Sequence, residues 1–171
     1  MGQTTTYFGL ISGSPLLEYN KTGASVGSGW TDASGELVKV DMPDNVREVG
    51  EVHTLEGGAD MPLLQPGKIK GGAMKITGVY TGASSGFWQD ALNAYQGGTA
   101  LYFRFSPAGS AAGRYRFYSG NTAGASTDLS TTNGACYVQK RPVPNVVDAD
   151  KAEVFVYEID VYTPGFTGAS M

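Results

Sequence analysis

One short helical pattern stands in a chain that otherwise has the patterns of β-strands and turns. Residues 86–95 repeat apolar side chains at the spacing of one helix face: Phe87, Trp88, Ala91, Leu92 and Tyr95. Ser84 or Ser85 is positioned to cap the free N–H groups at its start, and Gly97-Gly98 supplies a left-handed stop. A helix of about ten residues is unstable in isolation, so it must pack on a sheet.

Extended patterns with turn residues between them account for most of the remaining chain. The alternation of apolar and polar residues and the Gly and Pro punctuation predict a mainly β fold. We expect one short helix, at about residues 86–96, in this β structure. The predicted strands cover residues 37–40, 46–54, 68–81 with a break at Gly71-Gly72, 99–106, 114–119, 135–140 and 151–163.

The alternation predicts which side chains face the core. Leu101, Phe103 and Phe105 share one face of their strand. The last long strand places one apolar row on a single face: Phe155, Tyr157, Ile159 and Val161. Three arginines lie on the second faces of the aromatic hairpin, where they are either solvated or paired with acids across an interface: Arg104, Arg114 and Arg116.

The domain organisation is simple. A chain of 171 residues is long enough for one domain with a sizeable core. Residues 1–34 are rich in Gly, Ser and Thr, with one possible strand at residues 7–11 and isolated apolar anchors at Leu16-Leu17 and Trp30. This composition predicts an N-terminal arm that packs on something else. We expect a single β domain over residues 35–168 and a flexible tail at residues 169–171.

The segment over residues 54–70 is unusual because it combines loop signals with apolar side chains. Two prolines and three glycines within residues 55–67 predict that regular structure is excluded there. A solvated loop has no need of the apolar residues that this one carries: Leu55, Met61, Leu63 and Leu64. The loop either docks on a partner, such as another copy of the chain, or folds back on its own core.

Charge and apolar content exclude several classes of protein. Charged residues make up 16% of the chain and the net charge is −4, so a basic patch suited to tight binding of nucleic acid is not expected. So little charge instead suggests surface that is buried against copies of the same chain. No apolar run approaches the roughly 20 residues of a membrane span, and the start lacks the pattern of a secretory leader. We therefore expect synthesis in a cytoplasm.

A candidate nucleophile motif has no supporting partners. Residues 82–86 match G-x-S-x-G between a strand and a helix, which would make Ser84 a nucleophile. The only histidine, His53, precedes it in the chain, whereas the α/β-hydrolase order places the histidine after the serine. A turn and helix cap is the better interpretation, and no catalytic residue is predicted.

Metal and cofactor sites are not expected either. His53 and the single Cys136 are too far apart in sequence to indicate a zinc site, and Cys136 is expected to be a small buried or half-buried strand residue. Two weak alternatives remain. Calcium could bind Asp148 and Asp150, and a glycosidase pair could come from five scattered carboxylates: Asp44, Glu48, Glu51, Glu56 and Asp60. The glycosylation triplet at Asn20 carries little weight without a secretory leader.

The order of elements resembles a known family. The segments that carry the resemblance are residues 49–52 and 74–80, the helix with Gly97-Gly98, residues 101–107 (Leu-Tyr-Phe-Arg-Phe-Ser-Pro) and residues 152–164. In their order and lengths these segments resemble the major tail tube proteins of long-tailed bacteriophages, over about residues 37–168. That family is similar in fold to the tube subunits of type VI secretion. The resemblance therefore implies a β-sandwich or barrel-like core with one short flanking helix at about residues 86–96.

The resemblance implies a structural role. Six copies would form a ring whose sheets join into an inner barrel, and the rings would stack into a hollow conduit for DNA. The segment at residues 54–70 would reach the adjacent ring, and the N-terminal arm would contact neighbours. Partners would be the chain itself and the tail terminator, baseplate and tape-measure proteins, in the tail of a virion. Because DNA must slide past, we expect acidic residues at the lumen, with three candidates: Glu48, Glu51 and Glu153.

Other functions stay open from the sequence. Another ring-forming tail component or a type VI secretion tube subunit would also assemble into rings, but with different partners. A carbohydrate-binding β-sandwich would need exposed aromatic platforms, with three candidates: Tyr102, Tyr115 and Tyr118. A small serine hydrolase would use Ser84.

Overall fold

The chain is mainly β, with one α-helix among the residues described. A computed structural model describes residues 15–22, 29–44, 46–52, 63–109, 115–120, 134–145 and 155–170. The first strands are β1 (Leu16–Asn20), β2 (Thr31–Asp32), β3 (Leu37–Asp41), β4 (Val46–Val52), β5 (Leu63–Lys70) and β6 (Gly72–Val79). The helix α1 (Phe87–Gly97) follows, and then β7 (Tyr102–Ser106), β8 (Tyr115–Ser119), β9 (Tyr137–Val138), β10 (Val156–Thr163) and β11 (Phe166–Ser170). The predicted mainly β class with one short helix is confirmed.

The described strands form two larger sheets and a hairpin. The five-stranded sheet has the order β11-β8-β7-β1-β2, and the four-stranded sheet has the order β3-β6-β10-β9. β4 and β5 pair with each other as a separate two-stranded sheet. All of these pairings are antiparallel. Chain segments distant in sequence therefore lie side by side, as β1 and β7 do.

Buried residues of both larger sheets and of α1 form one core. The alternation in β10 buries Tyr157, Ile159 and Val161 completely, as the sequence predicts. They share a cluster with members of the five-stranded sheet and of the helix: Leu17, Tyr19, Phe87, Ala91, Ala94 and Phe103. Phe155, predicted on the same face as Tyr157, is instead 45% exposed because it precedes the first residue of β10.

Helix α1 differs from its prediction at its start and on its buried face. The N-cap is Gly86, with no side-chain cap from Ser84 or Ser85. The first backbone N–H instead donates to the carboxylate of Glu36, from Phe87 N to Oε2 over 3.1 Å. The buried face consists of Phe87, Ala91 and Ala94, so the predicted stripe was wrong at Tyr95, which is 40% exposed.

The end of α1 agrees with the sequence. Gly98 has a φ of 61°, the left-handed region that favours glycine, and its N–H donates to the carbonyl of Ala94. The helix is fastened to the five-stranded sheet by Asp90. Its Oδ2 accepts from the hydroxyl of Tyr19 over 2.6 Å, and its Oδ1 lies 3.0 Å from Nζ of Lys21.

The predicted arm and tail both contain parts of the sheet. β1 lies between β7 and β2, and Leu17 and Tyr19 belong to the core, so a boundary at residue 34 is wrong for these residues. The sequence did not reveal this because residues 16–20 are a short strand between Gly- and Ser-rich segments. At the other end, β11 continues to Ser170 and pairs with β8, which contradicts a flexible tail at residues 169 and 170.

The segment over residues 54–70 is partly regular. Residues 63–70 form β5, which pairs with β4, so the exclusion of regular structure was wrong for residues 63–67. Among the described strands β5 pairs only with β4, as an edge strand does, and proline is tolerated in edge strands. The predicted interruption near Gly71-Gly72 is confirmed, since Gly71 separates β5 from β6.

Candidate assembly surfaces

The β4–β5 hairpin is the first candidate surface. Leu63 and Leu64 are the first residues of β5, opposite Val52 and Glu51 of β4. Residues 53–62 connect the two strands and lie outside the described residues, and they include the candidates Leu55 and Met61 and the histidine His53. The structure therefore brings Leu63 and Leu64 to the end of a hairpin. Their contact with a neighbour remains a prediction.

The predicted lumen acids lie on two segments. Glu48 and Glu51 belong to β4, with Glu48 at an irregularity of register between Arg47 and Val49. Glu153 lies outside the described residues. A role for any of the three at a lumen remains a prediction.

The exposed face of the four-stranded sheet carries a row of alternating charge that sequence reasoning missed. Lys75 of β6 lies opposite Asp41 of β3 and opposite Asp160 of β10, and Glu158 is exposed two residues earlier. Their signal was present in β10, because Glu158 and Asp160 alternate with the buried Tyr157, Ile159 and Val161. Asp41 also pairs with Lys39 over 2.7 Å.

Apolar side chains are exposed towards both edges of the same sheet. At one edge, Tyr137 of β9 lies directly opposite Tyr162 of β10, and these side chains are 49% and 45% exposed. Val143, on the segment that continues from β9, is 58% exposed. At the other edge, Val38 of β3 is 65% exposed. Exposed apolar residues at the free edges of a sheet are typical of surfaces that pair with another chain.

Arg104 is paired inside the chain. Its guanidinium forms a bidentate ion pair with the carboxylate of Glu18. Nη2 donates to Oε1 over 2.6 Å, and Nε donates to Oε2. It also stacks over the ring of Trp30, 4.6 Å from the centroid. Arg116 donates from Nε to the Ser106 hydroxyl over 3.0 Å. The predicted alternatives of a solvated or an interfacial Arg104 are therefore wrong, and Arg114 lies outside the described residues.

The described residues offer no activated nucleophile. Ser84 is exposed in a bend before α1. Cys136 is fully buried, as predicted, and burial raises the pKa of its thiol to about 12, so it carries no thiolate at neutral pH. Burial, followed by the hydrogen bond to Asp90, raises the pKa of Tyr19, and burial likewise raises that of Tyr157. In the part of the chain that is described, no three His, Cys, Asp or Glu residues are grouped as metal ligands.

Two of the three candidate sugar platforms are buried. Tyr102 is 6% exposed and Tyr118 is 7% exposed, which is too little for stacking a sugar ring. Asn20 is also buried, and its Oδ1 accepts hydrogen bonds from the backbone N–H and from the hydroxyl of Thr22. The Asn20 side chain is therefore not accessible for glycosylation. Tyr115 is the remaining candidate, on β8.

Across the described ranges, no helix has the length and apolar character needed to cross a membrane.

Comparison with known proteins places the fold. No family model and no curated protein matches the sequence. Solved structures do match. The extended sheath–tube complex of the PVC extracellular contractile injection system has a TM-score of 0.62 at 10% identity, covering 99% of this chain and 100% of that chain. The baseplate of the anti-feeding prophage has a TM-score of 0.63 at 9% identity, covering 94% and 95%. The SPP1 tail tube has a TM-score of 0.55 at 12% identity, covering 92% and 77%.

The chain therefore has the fold of tail tube and injection-system tube components. Identities of 9% to 12% support a statement about the fold and not about partners or cargo. The matched structures come from tubes, a baseplate and a tube terminator. The resemblance to tail tube proteins, drawn from the order of the elements, is confirmed at the level of the fold.

Proposed function

We propose that this protein is the structural subunit of a phage tail tube, which assembles with itself into rings of six that stack into a hollow conduit for DNA. The observation that carries the proposal is the fold, shared over 92% of the chain with the SPP1 tail tube. Terminator, baseplate and tape-measure proteins would be its partners in the virion tail, after synthesis in the host cytoplasm.

The four-stranded sheet supplies a physical route to a ring. Its described strands leave two different edges, β3 on one side and β9 on the other. Joining the β3 edge of one copy to the β9 edge of the next is a head-to-tail contact, which closes into a ring when the rotation permits. Closure would cover Val38, Tyr137 and Val143, and it would remove edges that otherwise invite aggregation.

The hairpin supplies a route to stacking. The β4–β5 ribbon pairs with neither larger sheet among the described strands. We propose that this ribbon, with Leu55, Met61, Leu63 and Leu64, contacts the adjacent ring.

The lumen is proposed to be acidic so that DNA phosphates are repelled. Glu48, Glu51 and Glu153 are the candidates from the sequence. Glu158 and Asp160, on the exposed face of the four-stranded sheet, are added from the structure. A structure of the assembly with lysine and arginine predominant at the lumen would contradict this part.

A tube component of a contractile injection system is the second candidate. The coverage of 99% of this chain by the PVC sheath–tube complex favours it. Both candidates predict rings. They differ in whether the tube belongs to a DNA-filled virion, which cryo-electron microscopy of particles from the producing cell would decide.

Negative-stain electron microscopy of the concentrated protein, with light scattering for mass, tests self-assembly. We expect hollow tubes of uniform width whose end views average with sixfold symmetry. A strictly monomeric particle at every concentration, including in the presence of a tail-tip preparation as initiator, would contradict both candidates.

A further inference from the structure

One edge of the four-stranded sheet is basic. Residues 137–145 begin as β9 and stay beside β10, where the N–H of Gln139 donates to the carbonyl of Asp160 over 2.8 Å. Lys140 and Arg141 are exposed on this segment, which contains no Asp or Glu. Neither cation has an ion-pair partner among the residues that the structure describes. The β9 edge is therefore positively charged.

The opposite edge of the same sheet is acidic at the end of β3. Asp41 is the last residue of β3, Asp44 lies three residues further on, and both are exposed. Within the described ranges, Asp44 has no ion-pair partner. Asp41 pairs with Lys39, but the two side chains are 50% and 65% exposed. A pair so open to water contributes little to stability, so Asp41 is free to exchange Lys39 for a cation across a contact.

The strand directions permit these two edges to join. Each pairing within the sheet is antiparallel, from β3 to β6, from β6 to β10 and from β10 to β9. β3 and β9 therefore run in opposite directions. Rotation about a ring axis preserves these directions, so β9 of one copy meets β3 of the next as an antiparallel pair.

The charged side chains are able to meet across such a joint. Asp41 lies opposite Lys75 on the exposed face of the sheet. Lys140 and Arg141 are consecutive, and consecutive side chains of an extended segment point to opposite faces, so one of them shares the face of Asp41. Long side chains reach diagonal neighbours about 7–8 Å away as well as direct ones, so the contact does not depend on one register.

The β9 edge offers few backbone hydrogen bonds to a partner. β9 has only two residues, and Pro142 and Pro144 lack the N–H that a ladder needs. Side chains must therefore supply much of the selectivity of a contact at this edge. Two β9 edges brought together would oppose four cations, whereas joining β9 to β3 places cations beside acids. Complementary charge of this kind selects a partner and suppresses wrong ones.

We propose that Lys140 and Arg141 of one copy form ion pairs with Asp41 and Asp44 of a second copy, and that these charges select the head-to-tail joining of β9 to β3. This selection rests on the proposed function, and it deepens that function by naming the side chains that choose the partner edge. The partner is a second copy of this chain, which presents its acidic edge.

Reciprocal charge reversal tests the selection. Lys140→Glu with Arg141→Glu makes both edges acidic, and Asp41→Lys with Asp44→Lys makes both edges basic. Each variant is assayed alone and in an equimolar mixture by light scattering and electron microscopy, after circular dichroism has confirmed folding. The control is Asn93→Glu with Gln96→Glu, which adds acidic charge at two exposed positions of α1 and should assemble as the unchanged chain does.

We expect each reversed variant alone to need at least about tenfold more protein than the unchanged chain to form rings, because like charges then meet at every joint. The mixture should form rings at nearly the concentration of the unchanged chain, with the two variants in equal amounts by native mass spectrometry.

Rings from either variant alone at the concentration of the unchanged chain would overturn the selection. No rings from the mixture of folded variants would also overturn it. In both cases the unchanged chain still forms rings, so the proposed function stands. Absence of rings from the unchanged chain would instead contradict the proposed function, and this contact with it.

Ionic strength provides an independent measurement. Lys140→Gln with Arg141→Gln removes the cations without introducing repulsion. We expect ring formation by the unchanged chain to weaken at least about threefold between about 0.05 M and about 0.5 M sodium chloride, because salt screens exposed ion pairs. Ring formation by the variant should weaken less. An equal dependence on salt in the two chains would contradict the ion pairs.

Discussion

Glu36 caps a helix that begins fifty-one residues later in the chain, with its Oε2 accepting from the backbone N–H of Phe87 over 3.1 Å. The carboxylate belongs to the 3-10 turn Ser34–Glu36 that leads into β3. It lies where negative charge is favourable, at the positive end of the helix. Gly86 leaves room for it, because a Cβ at that position would overlap the carboxylate of Glu36. One side chain thus connects the start of the four-stranded sheet to the only described helix.

Removing this cap should destabilise the fold. Glu36→Ala is expected to lower the free energy of unfolding by about 1–2 kcal/mol, the range found for lost helix caps. Urea denaturation followed by circular dichroism measures it. Ser85→Ala is the matched control and should change stability little, because no serine side chain caps the helix. A larger loss for Ser85→Ala than for Glu36→Ala would contradict this assignment.

Loss of the hydroxyl group should lower the free energy of unfolding at one buried tyrosine and not at another. The hydroxyl of Tyr19 donates to Asp90, whereas that of Tyr157 is buried and has no partner among the described residues. We expect Tyr19→Phe to cost about 1–2 kcal/mol of unfolding free energy and Tyr157→Phe to be neutral or to add up to about 1 kcal/mol. Thermal and urea unfolding compare the two. Equal losses would mean that the Tyr157 hydroxyl has a partner.

The pair of Arg104 and Glu18 should be sensitive to removal of one member. Their side chains are 13% and 11% exposed, so Glu18→Ala leaves a largely buried guanidinium unpaired. The expected cost is about 3 kcal/mol or more. Lys39→Ala breaks a pair whose members are 65% and 50% exposed and should cost less than about 1 kcal/mol. Similar costs for the two variants would show that the buried pair has no special weight.

Stability should fall in alkali. In the folded chain the pKa of Cys136 is raised from 9.0 to about 12, so the folded state holds this proton more tightly than the unfolded state. The contribution is fully present below about pH 9 and is lost as pH rises towards 12. We expect the free energy of unfolding to fall by up to about 1.4 kcal/mol per pH unit from this thiol. Tyr19 and Tyr157 add to the fall at higher pH.

Urea denaturation at a series of pH values measures this slope. Cys136→Ala should make the slope shallower just above pH 9, whatever it does to stability at neutral pH. An unchanged slope would show that the thiol is not the titrating group.

Ring formation and stacking should be separable. Leu63→Asp with Leu64→Asp adds charge to β5 at the end of the hairpin, outside both larger sheets. We expect rings without long tubes in electron micrographs, because a charge buried at a contact is costly. Gln96→Lys, on an exposed position of α1, is the control and should form tubes normally. Normal tubes from the Leu63 and Leu64 variant would exclude the hairpin from stacking.

Short-range patterns in the sequence determined much of this protein. The alternation of Tyr157, Ile159 and Val161 determined the buried face of β10, and Gly98 determined the end of the helix. The mainly β class followed in the same way. These features depend on backbone geometry and on apolar periodicity, and both are local properties of a few consecutive residues.

Only the tertiary structure decided what lies beside what. Leu17 and Tyr19 belong to the core because β1 inserts between β7 and β2. Arg104 is paired rather than solvated because Glu18 lies opposite it in the pairing of β1 with β7. The helix is capped by Glu36 rather than by the nearer serines, and residues 63–67 are regular because β4 supplies a partner. Each outcome depends on a contact between residues far apart in the chain. Such contacts follow from how sheets and helix bury their apolar surface together, and no local pattern encodes them.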